Sequence, residues 1–512
     1  MKFVAESLLQ EAHPDVKNWV AVASQKLSEQ HQQLKNAETK IQALTLELAY
    51  LRRIQFGRRS EALPVEQRQL FEEGVAEDIA AIEATTDAIL PPSARPPRAR
   101  AGRQPLPDHL PRIEYRHEPE SCSCGKCGKA LIKISEDITE QLDVEPARFF
   151  VNRHIRPQYA CRGCETISAA PVPPAVIDGG MAAPGLLTWV IISKYLDHLP
   201  LYRLEQITAR SQLILSRSTL AEWVGRIGVA LQPLADRLAE RLRQRSVLHA
   251  DETPVQQLDP GRGKTLRAYL WAYRSCDFEP GDPIVLFDYQ TSRRGQHART
   301  FLHEWKGALM VDDYAGYKGL FAQSVTELAC LAHARRKFYD LHAANQSPIA
   351  AEALKRIAEL YDIEREGKPL APEDRHALRQ HQAKPKLEAF HTWLQESRCT
   401  TATGSGTAKA IDYSLKRWTA IQRYLKDGRH PIDNNAVENA IRPIALGKKN
   451  WMFTGSERAG RRAAAIQSLL ATAKLNGIEP YAWLKNTLEK LPTWPNSRID
   501  ELLPLRSVQV SD

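Results

Sequence analysis

From residue 27 to residue 51 the apolar positions alternate by three and four. Leu34, Ala37, Ile41, Leu44, Leu48 and Leu51 form the seam, Leu27 extends it backwards, and Gln30 is its polar interruption. A stripe of this period buries itself only against another helix, so it predicts a coiled coil over residues 1–60 that pairs chains. The basic run 52–59 ends it. Residues 61–90 are acidic and alanine-rich, which predicts a mobile helix, and 91–111 is a Pro/Arg segment too extended to pack. Residues 61–110 therefore read as a linker. Alternation returns at 147–159 as strand. Two helices are expected at 201–211 and 218–231, with Ser216 or Ser218 capping the second. Short apolar runs then deliver Asp251 and Asp312 where turn residues begin, with further strands at 266–273, 283–289 and 325–331 and a helix at 295–305. A charged helical stretch covers 345–430. Beyond it Asn434 or Asn435 can cap a helix on which Glu438 and Arg442 share one face, while Val437 and Ile441 share the face that suits a sheet. Pro443 is expected to end or kink that helix.

The order strand, strand, strand, helix, strand, helix, strand, with an Asp closing the first and fourth strands and a Glu on a later helix, is the layout of an RNase H-like domain with a D-D-E triad. The predicted architecture is a multidomain α/β protein. The coiled coil and linker precede a zinc ribbon at 111–170 and a helical, helix-turn-helix-like region at 171–240. The RNase H-like catalytic domain follows at 241–475, with an all-α insertion at 345–430, then a tail domain at 476–512. The insertion is inferred because the chain between Asp312 and Glu438 is far longer than a strand-to-helix connection needs. The ribbon rests on Cys124-Gly125-Lys126-Cys127 and Cys161-Arg162-Gly163-Cys164, two knuckles joined by a hairpin. Four thiolates hold a structural Zn²⁺ with no open position. Cys122 is a spare ligand. Arg148, Arg153, His154, Arg156 and Arg162 make that ribbon a candidate DNA surface, with a plain folding staple as the alternative. Arg217, Ser218 and Thr219, at the start of the second helix, are placed to approach a DNA groove, the alternative being a simple helical hairpin.

The phrases His249-Ala250-Asp251-Glu252-Thr253, Val311-Asp312-Asp313-Tyr314-Ala315-Gly316-Tyr317, Ala332-His333-Ala334-Arg335-Arg336-Lys337-Phe338 and Ile432-Asp433-Asn434-Asn435-Ala436-Val437-Glu438 resemble those of IS66-family insertion-sequence transposases. So do the stretches 193–202 and 474–477, and the resemblance runs in the family's order from about residue 20 to the C-terminus. It implies a transposase that binds the terminal inverted repeats of its element and target DNA. Asp251, Asp312 and Glu438 would hold two catalytic Mg²⁺ ions, or Mn²⁺, with Asp251 bridging them. Glu252 and Asp313 are the acidic neighbours, and Asp313 is the alternative second ligand. Arg442, Lys448, Lys449 and His333 are supporting candidates. Arg442 would steady Glu438 or a phosphate, and His333 would contact DNA unless it is a core histidine, the plainer reading. The resemblance also implies two small accessory proteins of the same element.

Composition changes this picture little. Lys+Arg 70 against Asp+Glu 61 leaves a net charge of +9, which suits a polyanion without naming one. No apolar run follows Met1-Lys2 as a signal peptide would, and 181–193 is too short to span a bilayer, so a cytoplasmic protein at the nucleoid is expected, with no membrane partner. Two other readings compete: a compact RNase H-like nuclease or resolvase, and a zinc-dependent DNA-binding regulator with a decayed triad.

Overall fold

The computed structural model describes residues 65–89, most of 106–145, 148–259 and 263–509, with scattered helical positions between 26 and 48. Within the expected coiled-coil seam, Leu34 is exposed and Leu44 buried. Leu27, Leu51, the basic run 52–59 and the linker 91–105 lie outside the described residues.

The acidic segment is a helix, α1 (Val65–Ile89), but it is docked rather than mobile. Glu77 and Asp78 are buried on it, where Arg462 Nη2 donates to Glu77 at 2.6 Å and Arg462 Nη1 to Asp78 at 3.2 Å. Lys194 Nζ adds a third contact, 3.2 Å from Glu77. The close approach depends on Gly225, where a Cβ would come within 2.3 Å of the Glu77 carbonyl. Carboxylates normally mark a solvated face, and the partner that reverses this reading lies hundreds of residues downstream.

The cysteine-bearing region is a sheet of β1 (Arg112–Arg116), β2 (Ile132–Glu145), β3 (Arg148–Ala160) and β4 (Ile167–Ala169), in which β2 and β3 form the hairpin expected between the knuckles. Three helices follow: α2 (Pro184–Tyr195), α3 (Leu201–Arg210) and α4 (Arg217–Arg243). Ser216 caps α4, its Oγ accepting from the Thr219 N–H at 3.2 Å. The helix runs well past the predicted end at 231 and through Pro233, because Leu231, Leu234, Leu238 and Leu242 continue its buried stripe.

The central sheet comprises β5 (Val247–Gln257), β6 (Leu266–Ser275), β7 (Val285–Gln290), β8 (Ala308–Val311), β9 (Thr326–Ala329) and the short β10 (Phe453–Thr454). The strand order is β7-β6-β5-β8-β9, antiparallel from β7 to β5 and parallel from β5 to β9, with β10 pairing the far end of β5. Only one turn of the predicted 295–305 helix forms between β7 and β8 (Gln296–Phe301). After β9 the chain enters a helical body with its own core, built around Phe338, Ile357, Leu360, Phe390, Leu394 and Ile411. That body begins at Leu331, earlier than the predicted 345, because Leu331, Ala334 and Phe338 pack into it. Arg379 is fully buried inside it, with Nε and Nη2 on Glu364 at 2.8 and 2.6 Å and Nη1 on two backbone carbonyls.

The chain returns to the sheet as α5 (Asn435–Trp451), then α6 (Glu457–Leu475) and α7 (Pro480–Lys490). Ser468 Oγ accepts the Phe287 N–H at 2.7 Å, and Thr472 Oγ1 both accepts from and donates to Val285, so α6 satisfies the outer edge of β7. The tail is anchored, with Tyr481 donating to Val144 O at 3.0 Å and Asp500 accepting from Arg237 at 2.6 Å. No helix among the described residues is long and apolar enough to cross a membrane.

Arg462→Ala leaves Asp78 buried without its cation and Glu77 with Lys194 alone. A loss of about 3–5 kcal/mol is expected in denaturant unfolding, as for other broken buried ion pairs. A loss near zero would show that α1 does not need this contact.

Candidate active site and metal centres

Strand β5 carries Asp251 at its middle rather than its end, correcting the sequence expectation. It continues because β6 pairs with it from Leu248 to Gln257, while parallel pairing with β8 stops at His249↔Met310. Asp251 therefore sits where the sheet splits, and Asp312 follows directly on β8. Alternation along β5 sends Glu252 to the opposite face. There Tyr317 Oη and Arg293 Nε each donate to it at 2.7 Å. Asp313 is likewise engaged elsewhere, accepting from Arg417 Nη1 at 2.8 Å. Burial pulls the Asp313 pKa up, but Arg417 and Lys416 outweigh it and hold it below the usual range. The same Arg417 nitrogen donates to the Asp312 carbonyl at 2.9 Å, and the Tyr314 N–H to Asp312 Oδ1 at 2.8 Å. The structure thus brings Asp251, Asp312 and Glu438 into mutual influence and ties their acidic neighbours to other partners.

Glu438 is placed by Asn434. This residue is fully buried, and its side chain does not cap α5 as expected but spans to β5. Its Nδ2 donates to Ala250 O at 2.9 Å, its Oδ1 lies 3.0 Å from His249 Nδ1, and its N–H donates to Cys330 Sγ at 3.2 Å. Burial, reinforced by Arg274, pushes the His249 pKa down to about 4, so the ring is neutral at physiological pH. Val437 and Ile441 pack on the sheet as predicted, whereas Pro443 neither ends the helix nor stops it reaching Trp451. Lys448 is a second anchor, its Nζ donating to Pro254 O at 2.8 Å. Arg442 and Lys449 are exposed, and among the described residues Arg442 makes no ion pair with Glu438. Its carboxylate faces His333 instead, with Oε1 3.7 Å from Nδ1. His333 is thus a half-buried neighbour of the acidic cleft, not a core histidine. Both atoms are buried without a hydrogen-bond partner, and Cys330 Sγ completes a cluster of potential metal donors.

Asp251 is half-buried by surface area but densely surrounded. Burial first, then the charges of Glu252, Asp312 and Glu438, raise its pKa to about 8. Asp251, Asp312 and Glu438 are hard oxygen donors of the kind a Mg²⁺-class cation takes, while the tight donor cluster among the described residues joins Glu438 to His333 and Cys330. The cysteine centre has a different donor set. Cys127 Sγ lies 3.3 Å from Cys161 Sγ and 3.8 Å from Cys164 Sγ. Thiolates around a tetrahedral ion at ~2.3 Å are about 3.8 Å apart, so this cluster fits Zn²⁺ rather than a disulfide. Cys122 and Cys124 lie outside the described residues. Arg153 is paired with Glu114 and Arg156 with Asp137, so two of the arginines expected to face DNA hold the sheet together instead. At the start of α4, Arg217 pairs with Glu205 at 3.1 Å, Ser218 is exposed, and the Thr219 hydroxyl lies 2.8 Å from Ser216 Oγ.

The Transposase IS66 family model matches residues 179–462. The chain belongs to that family. Three shorter models agree along the chain: the zinc-finger binding domain of transposase IS66 at 121–165, the IS66 C-terminal element at 468–505, and one described as Transposase C of IS166 homeodomain at 43–114. The relatives carry no stated activity. Uncharacterized protein y4jD of Sinorhizobium fredii is 37% identical over 93% of this chain and 98% of its own. Uncharacterized protein y4qI of the same organism is 38% identical over 92% and 90%.

Within this IS66-family chain, sequence reasoning missed Arg417, Cys330 and the Arg293–Glu252–Tyr317 group. Arg417 gave no local signal, since its partner is more than a hundred residues away. Cys330 was visible as a lone apolar-flanked cysteine, three residues before His333.

Metal analysis of protein purified without chelator is expected to find about one zinc per chain, and Cys161→Ser to lose it, because a tetrahedral thiolate site needs every ligand. Zinc-free native protein would reject the site. Asp251 gives a pH prediction. Below about pH 8 it is largely protonated, whereas in the unfolded chain it ionises near the usual carboxylate range. The folded state therefore binds the extra proton, and metal-free stability falls as pH rises from the unfolded pKa towards 8. Mg²⁺ must displace that proton, so calorimetry near neutral pH should show proton release and tighter binding as pH rises. Binding without either effect would contradict the reading.

Proposed function

We propose that this chain is an insertion-sequence transposase that cleaves the ends of its element and joins them to target DNA. The catalytic domain is RNase H-like. Supporting this are three antiparallel strands continued by two parallel ones, with Asp251 on the first, Asp312 after the fourth and Glu438 on a returning helix. The observation that carries the proposal is that Asp251 and Asp312 sit where the sheet splits and the Glu438 helix returns to it, while Glu252 and Asp313 are held by Arg293, Tyr317 and Arg417.

Strand cleavage and joining are in-line phosphoryl transfers with charge spread over the non-bridging oxygens. Two bound Mg²⁺ or Mn²⁺ ions would activate the attacking water or 3′-hydroxyl and neutralise the leaving oxygen. The chain's own part is positioning. Asp251, Asp312 and Glu438 would hold the ions, and Asp251 must give up its proton to do so. Arg417 and the Tyr314 N–H fix Asp312 by its backbone and its carboxylate. Asn434 and Lys448 clamp both ends of the helix that bears Glu438, and His333 lies beside that carboxylate.

In this reading Arg217, Ser218 and Thr219 approach the terminal repeats, the zinc ribbon is structural, and residues 1–60 pair two chains so that two ends are held together. Arg442 and Lys449, exposed on the Glu438 helix, are available for phosphates. Two small proteins of the element act alongside.

Glu438→Gln keeps size but removes charge. Cleavage and joining by the purified variant should fall at least about a thousandfold, the scale of losing a principal electrostatic contact in the transition state. Binding to the element ends should be retained. Wild-type cleavage by this variant would remove Glu438 from the site.

A further inference from the structure

On the face of the sheet that carries Glu252, a row of guanidinium groups alternating with phenol rings runs towards the turn that bears Asp312. Arg267 and Tyr269 lie two apart on β6, so the pleat puts both on one face. The Arg267 guanidinium is 5.6 Å from the centre of the Tyr269 ring, and that of Arg293 is 5.9 Å from the same ring. Arg293 is also 3.8 Å from the centre of the Tyr314 ring. Tyr314 in turn donates its N–H to Asp312 Oδ1. The row therefore leads from the exposed Arg267 to one of the three carboxylates.

Its inner part is rigidly built. Arg293 Nε donates to Glu252, and the Arg293 carbonyl accepts from the Tyr314 hydroxyl. The two loops interlock, since a Cβ on Gly295 would lie 2.1 Å from the Gly316 carbonyl. A guanidinium held over an aromatic face has already lost rotamer freedom, while its N–H edges still point to water. Arg267 has no carboxylate partner among the described residues, and Lys264 and Arg294 are exposed nearby in sequence. Arg267, without a carboxylate partner there, and the part of Arg293 outside its Glu252 pair match the oxygens of a phosphodiester, which accept two N–H donors at once.

We infer that Arg267, Tyr269, Arg293 and Tyr314 form a track for the phosphodiester backbone of the DNA strand entering the acidic cleft; this rests on the function proposed above. The arginines contact phosphates and the tyrosines hold them in line. The row carries no hydrogen-bonding pattern for base edges, so the track is indifferent to sequence.

The test is DNA binding by the full chain without added Mg²⁺, measured by fluorescence anisotropy across a range of salt concentrations. The probe is a labelled duplex carrying one end of the surrounding element. Arg267→Gln should make the dependence of log affinity on log salt shallower by about 0.9, the value for one lost phosphate contact. Tyr269→Phe keeps the ring and should match the unmodified chain, whereas Tyr269→Leu should shift in the same direction as Arg267→Gln. Arg267 is exposed, so its replacement does not endanger folding, and an unchanged slope there overturns the track. If the unmodified chain binds and cleaves while Arg267→Gln shows that unchanged slope, the track alone fails. If the unmodified chain binds no DNA, the proposed function fails with it.

Discussion

The candidate site depends on one buried amide. Asn434 joins β5, the start of the Glu438 helix and the end of β9, using its side-chain oxygen, its side-chain nitrogen and its backbone N–H. A carboxylate could not replace it, because Ala250 O needs a donor and a charge at full burial is costly. Loss of the amide would strand a buried carbonyl and a buried imidazole, each costing about 1–3 kcal/mol. Neutral groups are the suitable fastening here. Burial and then the neighbouring carboxylates already raise the Asp251 pKa, and a charged clamp would shift it again. The neutral state of His249 fits the same requirement.

What was legible in the sequence was whatever a local period or a short motif carries. The strands of the central sheet, the hairpin between the cysteine knuckles and the Val437/Ile441 face follow from alternation or helical spacing, and the structure has them. Asp251 and Asp312 stood out because apolar runs deliver them at turn residues and because they match the family's motifs, although Asp251 lies mid-strand. The groups that occupy their acidic neighbours, Tyr317 and Arg293 for Glu252 and Arg417 for Asp313, gave no local signal. The docking of α1 was illegible for the same reason, since Glu77 and Asp78 look solvated until Arg462 arrives from the far end of the chain. Pro443 misled in the opposite sense, and Pro233 lies likewise inside a helix that runs past its predicted end. Each is a breaker by propensity, yet each sits inside a helix whose apolar stripe continues beyond it.

Arg417 links the inserted helical body to the chemistry. It arises after α-helical residues 406–416 and binds the chain at Asp312, Asp313 and Glu327. A displacement of that body therefore pulls on the main chain at the cleft itself. Any load on the insertion has a direct mechanical route to the second carboxylate, through one guanidinium group and no intervening loop. The insertion is consequently more than a lid resting on the site.

The way α6 meets β7 bears on the fate of incomplete chains. Ser468 and Thr472 occupy backbone groups that an edge strand otherwise offers to any passing strand. Those hydroxyls lie 181 and 187 residues after the backbone groups they cover, so they leave the ribosome well after the sheet has been made. A nascent or C-terminally clipped polypeptide thus has its β7 rim open, flanked by the apolar Val285 and Phe287. Products that stop short of Ser468 should gather into insoluble particles, so the helix that carries Ser468 and Thr472 acts as a solubility checkpoint on synthesis.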